Sequence, residues 1–498
     1  MGSNSKLRLR DLGVIVTIVA CVLASASYGE DAMMPSSRIS SERLRQYSDL
    51  AESWMQQYLR VDTTNPPGNE MRGVEFFKKI LDEEGIENRA FEILPGRGDL
   101  WARIPANSDN NHPPKPQGEA GHPAQGRPII LLNHMDVVTS DPSHWRVPPF
   151  SGEMRDGYIW GRGAQDMKDE GLAQLVVMVM LKRERVALDR DVIFLAVADE
   201  EAEGRGTDWF IKNQRDLLEN AEFLINEGGE NLLENGKVKY VGVDVGEKTS
   251  FWLHVVAHGR PGHASRPNPE SAPNRLVHAL NKILAYQTPL RVLPVVDEFL
   301  RGMAPYEPVD RAVYYRDVKK AIEDKKFQRE VERDESLNFL LRDTISLTML
   351  GGSEQTNVIP AEAWANLDVR ILPGGDPQAL LETLRRVVND PDVTIEPLEK
   401  EFRVANYSGT DNALFSAIRE AAAKYFPGTP VVPHITSGYT ENQRYRPLGI
   451  VAYGFNPYTA TEEEGNTEHG NDERIRVEEV RRGPQVLFDV VVRVAGAT

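Results

Sequence analysis

Apolar residues recur at helical spacing in two early stretches, Leu44, Tyr47, Leu50, Ala51, Trp54 and Tyr58, then Val74, Phe77, Ile80 and Leu81, which predicts two amphipathic helices. The polar TTNPPGNE between them, residues 63–70, predicts a loop. Extended pieces around Phe91 and Trp101 follow. Residues 107–128, rich in Pro, Gly and Asn and without an apolar period, predict an exposed insertion in which His112 and His122 are solvated. Short apolar runs then alternate with helical periods: strand Ile129–Asn133, helix Leu172–Lys182, strand Val192–Ala198, helix Asp208–Leu218 and strand Phe223–Asn226. This alternation predicts a largely parallel sheet covered on both faces.

From Phe251 the pattern changes to strand (Phe251–Ala257), helix (Pro273–Ala285), strands (Thr344–Leu350 and Ala363–Ile371), helix (Pro377–Val388) and strand (Val393–Phe402). That order predicts a smaller, sandwich-like α+β unit. The charged, helical stretch Val295–Arg342 reads as an insertion within it. The α/β pattern returns with helix Asn412–Tyr425, strand Ile450–Tyr453 and a last helix from Val477, so the small unit is inserted into the large one. The expected boundaries are 40–246 and 406–498 for the two parts of the large domain and 247–405 for the small one.

Composition changes this picture little, since 40% hydrophobic and 27% charged residues describe an ordinary globular chain. The amino terminus changes it more. Lys6, Arg8 and Arg10 precede the apolar run Leu12–Leu23 and the small residues Ala24-Ser25-Ala26, which predicts a secretory signal peptide over 1–26 and a secreted or periplasmic protein. The only cysteine, Cys21, lies in that run. A lipid anchor at Cys21 is the second expectation, and simple cleavage would leave a mature chain without disulfides or thiol chemistry. A net charge of -17 opposes nucleic-acid binding.

The chemistry gathers at strand ends. In ILLNHMDVV the apolar strand stops at His134, with Asp136 two residues on and therefore on the same face. One such pair also describes a hydrogen-bonded structural histidine. However, VIFLAVADEEAEG ends another strand in Asp199, Glu200 and Glu201, FLINEGG ends a third in Glu227, and GRGAQDMKDEG places Asp166 in a glycine-bearing loop before a helix. Carboxylates gathered at one sheet edge repel unless cations or protons neutralise them. His469, in NTEHGNDERI, adds a second imidazole, and a mixed nitrogen and oxygen set of this kind suits zinc, with manganese or cobalt as substitutes.

These segments, together with WRVPPFSG, GRPGHASRP and NVIPAEAWANLDVRILPG in the same order, resemble the zinc aminoacylases and carboxypeptidases. That family includes acetylornithine deacetylase, succinyl-diaminopimelate desuccinylase, glutamate-releasing carboxypeptidases and yeast vacuolar carboxypeptidase S. The resemblance implies an α/β di-metal aminopeptidase/carboxypeptidase-like catalytic domain with an inserted ferredoxin-like lid and dimerisation domain. It implies two zinc ions bridged by Asp166, with His134 and Glu227 completing one site and Glu201 and His469 the other. Asp136 would orient His134, Glu200 would be the general base, and His263 would reach into a partner subunit's site in a homodimer to stabilise an oxyanion. Asn357 and Arg370 match substrate-holding positions, Arg370 either gripping a free carboxylate or forming a structural salt bridge.

In place of the family's glycine-rich turn with Thr-Asp, this chain has TSGYTENQRYR, with Gly438 among the residues expected to shape the substrate pocket. His254, His258, His278 and His434 carry no motif. The expected activity is release of a C-terminal amino acid from small peptides, with aminoacylase action on N-acyl amino acids as the second reading. A metal-dependent binding protein without turnover would be expected to lack Glu200, His263 or a ligand, and all are present.

Overall fold

The computed structural model describes residues 35–106, 126–399, 404–436 and 438–497. The expected export segment, Cys21 and most of the insertion at 107–128 lie outside the described residues.

The core of the larger unit is an eight-stranded sheet. Across it run Glu87–Leu94, Arg97–Ile104, Val192–Val197, Ile129–His134, Phe223–Asn226, Val451–Gly454, Val241–Glu247 and Val431–Thr436. The central four are mutually parallel and flanked by antiparallel neighbours. Strands such as Ile129–His134 and Val192–Val197 are buried at every position, which is why Ile129–Leu132 and Val192–Val197 read as unbroken apolar runs. The helix Lys168–Arg183 is buried from Lys168 through Leu181, packed against the sheet and the helices Ser41–Leu59 and Val477–Ala495. A helix covered on all sides needs no polar stripe, and Leu175 to Leu181 has none until Lys182.

The smaller sheet is antiparallel, in the order Thr344–Gly351, Glu362–Ile371, Thr249–His258 and Val393–Pro397. Phe251, Leu253, Val255 and Ala257 alternate inward against the helices Ala272–Ala285 and Pro377–Val388, while Trp252 and His258 on the other face are exposed. The last strand is shorter than the expected Val393–Phe402 and ends at Pro397.

Two elements depart from expectation. The strands Val241–Glu247 and Val431–Thr436 belong to the large sheet, paired parallel to each other, and were not foreseen. The helical stretch 295–342 lies in the chain between strands of the small sheet, but Val295, Leu300, Met303, Val318, Phe327 and Leu341 are buried in the core of the large unit. Its helix Pro294–Met303 packs on the Val431–Thr436 strand. Chain position suggested the wrong neighbour; the apolar stripe found the sheet face that lacked a cover.

Candidate metal centre

The parallel strands deliver their ends to one edge. His134 is in register with Val197, so the chain leaving that neighbour, Asp199 to Glu201, emerges beside it, and Glu227 follows the next strand. Asp166 comes from the loop before the buried helix. Glu473 shapes that loop: its carboxylate accepts the amides of Gly163 (3.0 Å) and Gln165 (2.8 Å) and is paired with Arg162 at 2.6 Å. Gly163 has φ +85°, and a Cβ there would lie 2.7 Å from Val137, so no larger residue fits the turn.

Asp166 stands between two imidazoles. Its Oδ1 is 3.0 Å from His134 Nε2 and its Oδ2 is 2.8 Å from His469 Nε2. Glu227 Oε2 lies 3.1 Å from His134 Nε2, and Glu201 Oε2 lies 3.2 Å from His469 Nε2. His134, Asp166 and Glu227 thus form one group able to hold a cation, and Asp166, Glu201 and His469 a second, each with its ligand atoms within 4.8 Å of one another. Glu201 Oε1 and Glu227 Oε1 are buried without a hydrogen-bond partner among the described residues. Buried carboxylate oxygens left that way are costly, and nitrogen and oxygen donors in two sets sharing one carboxylate fit a pair of divalent ions.

The electrostatics agree. Burial pushes the Glu227 carboxyl up to about 7 against the pull of His134. Hydrogen bonds to Asp166 and Glu201 raise His469 to about 10. Burial opposes charge on His134, but Glu227 and Asp166 outweigh it and raise its pKa. Glu200 is raised well above the usual carboxylate range by burial and then by Glu227. Glu441, buried in the unusual TSGYTENQRYR segment and bonded by Thr207 at 2.8 Å, is raised by burial to about 8.

Asp136 is fully buried and meets His134 through its backbone oxygen rather than by a hydrogen bond from its carboxylate. His134 Nδ1 faces the Asp136 backbone oxygen at 3.0 Å and the carboxylate only at 3.7 Å. Residues expected on the substrate side are placed elsewhere. His263 is exposed on a two-residue strand paired with Val358–Ile359, and its Nδ1 accepts from Ser265 N at 3.1 Å. Asn357 sits beside it, its carbonyl accepting from Ala264 N at 3.1 Å. Arg370 forms a two-pronged bond to Asp368, at 2.8 and 3.0 Å. Gly438 is exposed and bonds to Thr436 Oγ1 at 3.2 Å. The described contacts bring the five candidate ligands into one cluster, bond the Glu200 backbone amide to Asp136 beside it, and leave His263, Asn357, Arg370 and Gly438 outside it. Missed from the sequence were Glu473, hidden four residues beyond His469 among other charges, and Asn65, in a loop read only as a connection.

The family model described as Peptidase family M20/M25/M40 matches residues 130–493. The N-fatty-acyl-amino acid synthase/hydrolase PM20D1 of Homo sapiens is 27% identical over 73% of this chain and 74% of its own length. A probable carboxypeptidase S-like 2 of Dictyostelium discoideum is 28% identical over 72% of this chain and 69% of its own. Among solved structures, the M20 family metallo-carboxypeptidase Sso-CP2 from Sulfolobus solfataricus superposes with a TM-score of 0.62 at 19% identity, covering 88% of this chain and 97% of that one.

Proposed function

From the premise that this chain belongs to peptidase family M20/M25/M40 and is a metal-dependent amide hydrolase, we propose that it releases a C-terminal amino acid from small peptides, as a carboxypeptidase or dipeptidase. The observation that carries this reading is Asp166, whose two oxygens face two imidazole–carboxylate groups beside the half-buried Glu200. His134, Asp166 and Glu227 would hold one ion and Asp166, Glu201 and His469 the other, zinc first, with cobalt or manganese as substitutes. When bound, the ions polarise the scissile carbonyl and acidify the attacking water. Glu200 takes the proton of that water and passes it to the leaving amine.

The amide of Ser265 points at His263 Nδ1, which places the ring proton on Nε2, and a neutral imidazole donating from Nε2 can bind an oxyanion. We assign His263 that task in the active site of a partner subunit within a homodimer. Arg370 spends Nε and Nη2 on Asp368 and keeps its remaining nitrogen for a substrate carboxylate, with Asn357 and Gly438 completing the contacts. Export directed by residues 1–26, with lipid attachment at Cys21 as the second form, belongs to the same reading.

Aminoacylase action is the second reading, favoured by the similarity to an N-fatty-acyl-amino acid synthase/hydrolase. A panel of dipeptides, N-acyl amino acids and their C-terminal amides tests both. Chelator-sensitive release of a free amino acid supports the reaction class, and the preferred acyl side separates the readings. Equal turnover of C-terminal amides would overturn the carboxylate requirement.

A further inference from the structure

The loop Thr63–Glu70 runs behind the ligand cluster. Thr63 Oγ1 donates to the Met135 carbonyl at 2.6 Å and Asn65 N donates to that of Val137 at 2.9 Å, which laces the loop to the segment carrying His134 and Asp136. The Asn65 side chain then reaches two carboxylates. Its Nδ2 donates to Asp136 Oδ2 at 2.8 Å and to Asp199 Oδ1 at 2.9 Å.

Both acceptors control the turn that follows. Asp136 accepts the backbone amides of Glu200 at 3.1 Å and Glu201 at 3.2 Å. Asp199 opens that turn with φ 71° and is also 2.8 Å from Arg97 Nη2. Arg97 is held by Glu70 at the end of the same loop. Asn65 and Arg97 are each 6% exposed, and Glu70, Asp136 and Asp199 are fully enclosed. One amide carries two hydrogens, and two buried anions take one each. Without that donor the bridge between the two carboxylates is lost and Asp136 Oδ2 gives up its side-chain partner.

We infer that Asn65 is a positioning residue: by donating to Asp136 and Asp199 together it fixes the turn on which Glu200 and Glu201 stand. This rests on the roles given above to Glu200 and Glu201. Asn65 acts through two carboxylates and a backbone turn and contacts neither ligand group directly. Asp136 then serves less to aim an imidazole than to hold the base and a ligand in register with it.

The test compares wild type, Asn65→Ala, Asn65→Asp and Glu70→Gln in one hydrolysis assay, alongside zinc affinity by competition with a chelating dye and the thermal midpoint. Loss of an outer hydrogen-bond partner typically costs about 10–100-fold in activity or metal affinity. We expect kcat to fall by about that factor in both Asn65 variants with KM within about twofold, and zinc to bind more weakly. Asn65→Asp keeps the shape, removes the donors and adds a carboxylate beside Asp136 and Asp199, whereas Asn65→Ala removes the donors without adding charge, so the two are read together. An Asn65→Asp enzyme with wild-type kcat and zinc affinity overturns the inference, as does a loss seen only in KM. If the Asn65 variants fail to fold, Glu70→Gln decides: a severalfold lower kcat at unchanged KM supports the buttress, and an unchanged kcat overturns it. A wild type without hydrolysis on any substrate would instead count against the proposed function, whatever the variants bind.

Discussion

At the carboxyl edge of the eight-stranded sheet, five candidate ligand side chains lie within hydrogen-bond reach of their neighbours, His134 buried, Asp166, Glu201 and Glu227 half-buried and His469 exposed, braced by Glu473, Asn65 and backbone amides. On the four-stranded unit, His263, Asn357 and Arg370 each engage a neighbour of their own unit, and His263 is exposed. Parallel strands in register oblige their ends to meet, whatever the substrate. Residues carried by the smaller unit meet the ligands only through the placement of whole bodies or subunits. On the proposed reading, the first region sets the reaction class, and the second completes the site and selects the substrate.

Removing the ions breaks the first region entirely. Chelation is expected to abolish hydrolysis, and added zinc or cobalt to restore it, measured as amino acid released. Next in size, Glu200→Ala should lower kcat by about 10²–10⁴-fold while metal content by elemental analysis stays at the wild-type value. His263→Ala should cost about 10²–10³-fold in kcat with zinc affinity and thermal midpoint unchanged. Those unchanged values would set the smaller unit apart from the metal edge; loss of zinc in His263→Ala would erase the distinction. Arg370→Gln should raise KM by about tenfold for substrates with a free carboxylate, and leave C-terminal amides unaffected.

The smallest effect is on stability. In metal-free protein the folded pKa of Glu227 is raised to about 7 and that of His469 to about 10. Groups raised on folding stabilise fully below their unfolded values and lose that contribution as pH climbs through the folded ones. The metal-free thermal midpoint should therefore fall between about pH 5 and 9, with zinc opposing the fall because deprotonated ligands bind it better. A midpoint that rises over this range without metal would contradict the assigned ionisations.

Much of the metal edge was legible because an apolar strand that ends in a carboxylate or imidazole is a local pattern, as at His134, Glu201 and Glu227. Asn65 and Glu473 were not, since their partners lie 71 or more residues away in sequence and their own surroundings look like ordinary loop. The Val241–Glu247 and Val431–Thr436 strands escaped because glycines, Asp244, Pro433 and His434 interrupt their apolar runs. Asp136 showed a different limit. Spacing placed its carboxylate on the face of His134, and only the folded turn shows that Asn65 and two amides take it.

The helical stretch packed on the large sheet has a mechanical consequence. The chain passes from the large unit to the small one at Lys248, returns between Tyr286 and Leu290, and crosses again near Asp343. It goes back once more after Pro397. The junctions are clipped to one another: Lys248 Nζ donates to the Arg342 carbonyl at 2.7 Å, Thr288 to that of Asp343 at 2.6 Å, and Arg291 N to that of Leu341 at 2.7 Å. A body hung on two covalent threads can swing about the line joining them; one laced on four must bend or unclip several at once. Any movement of the small sheet relative to the large one would have to be accommodated at these joints together.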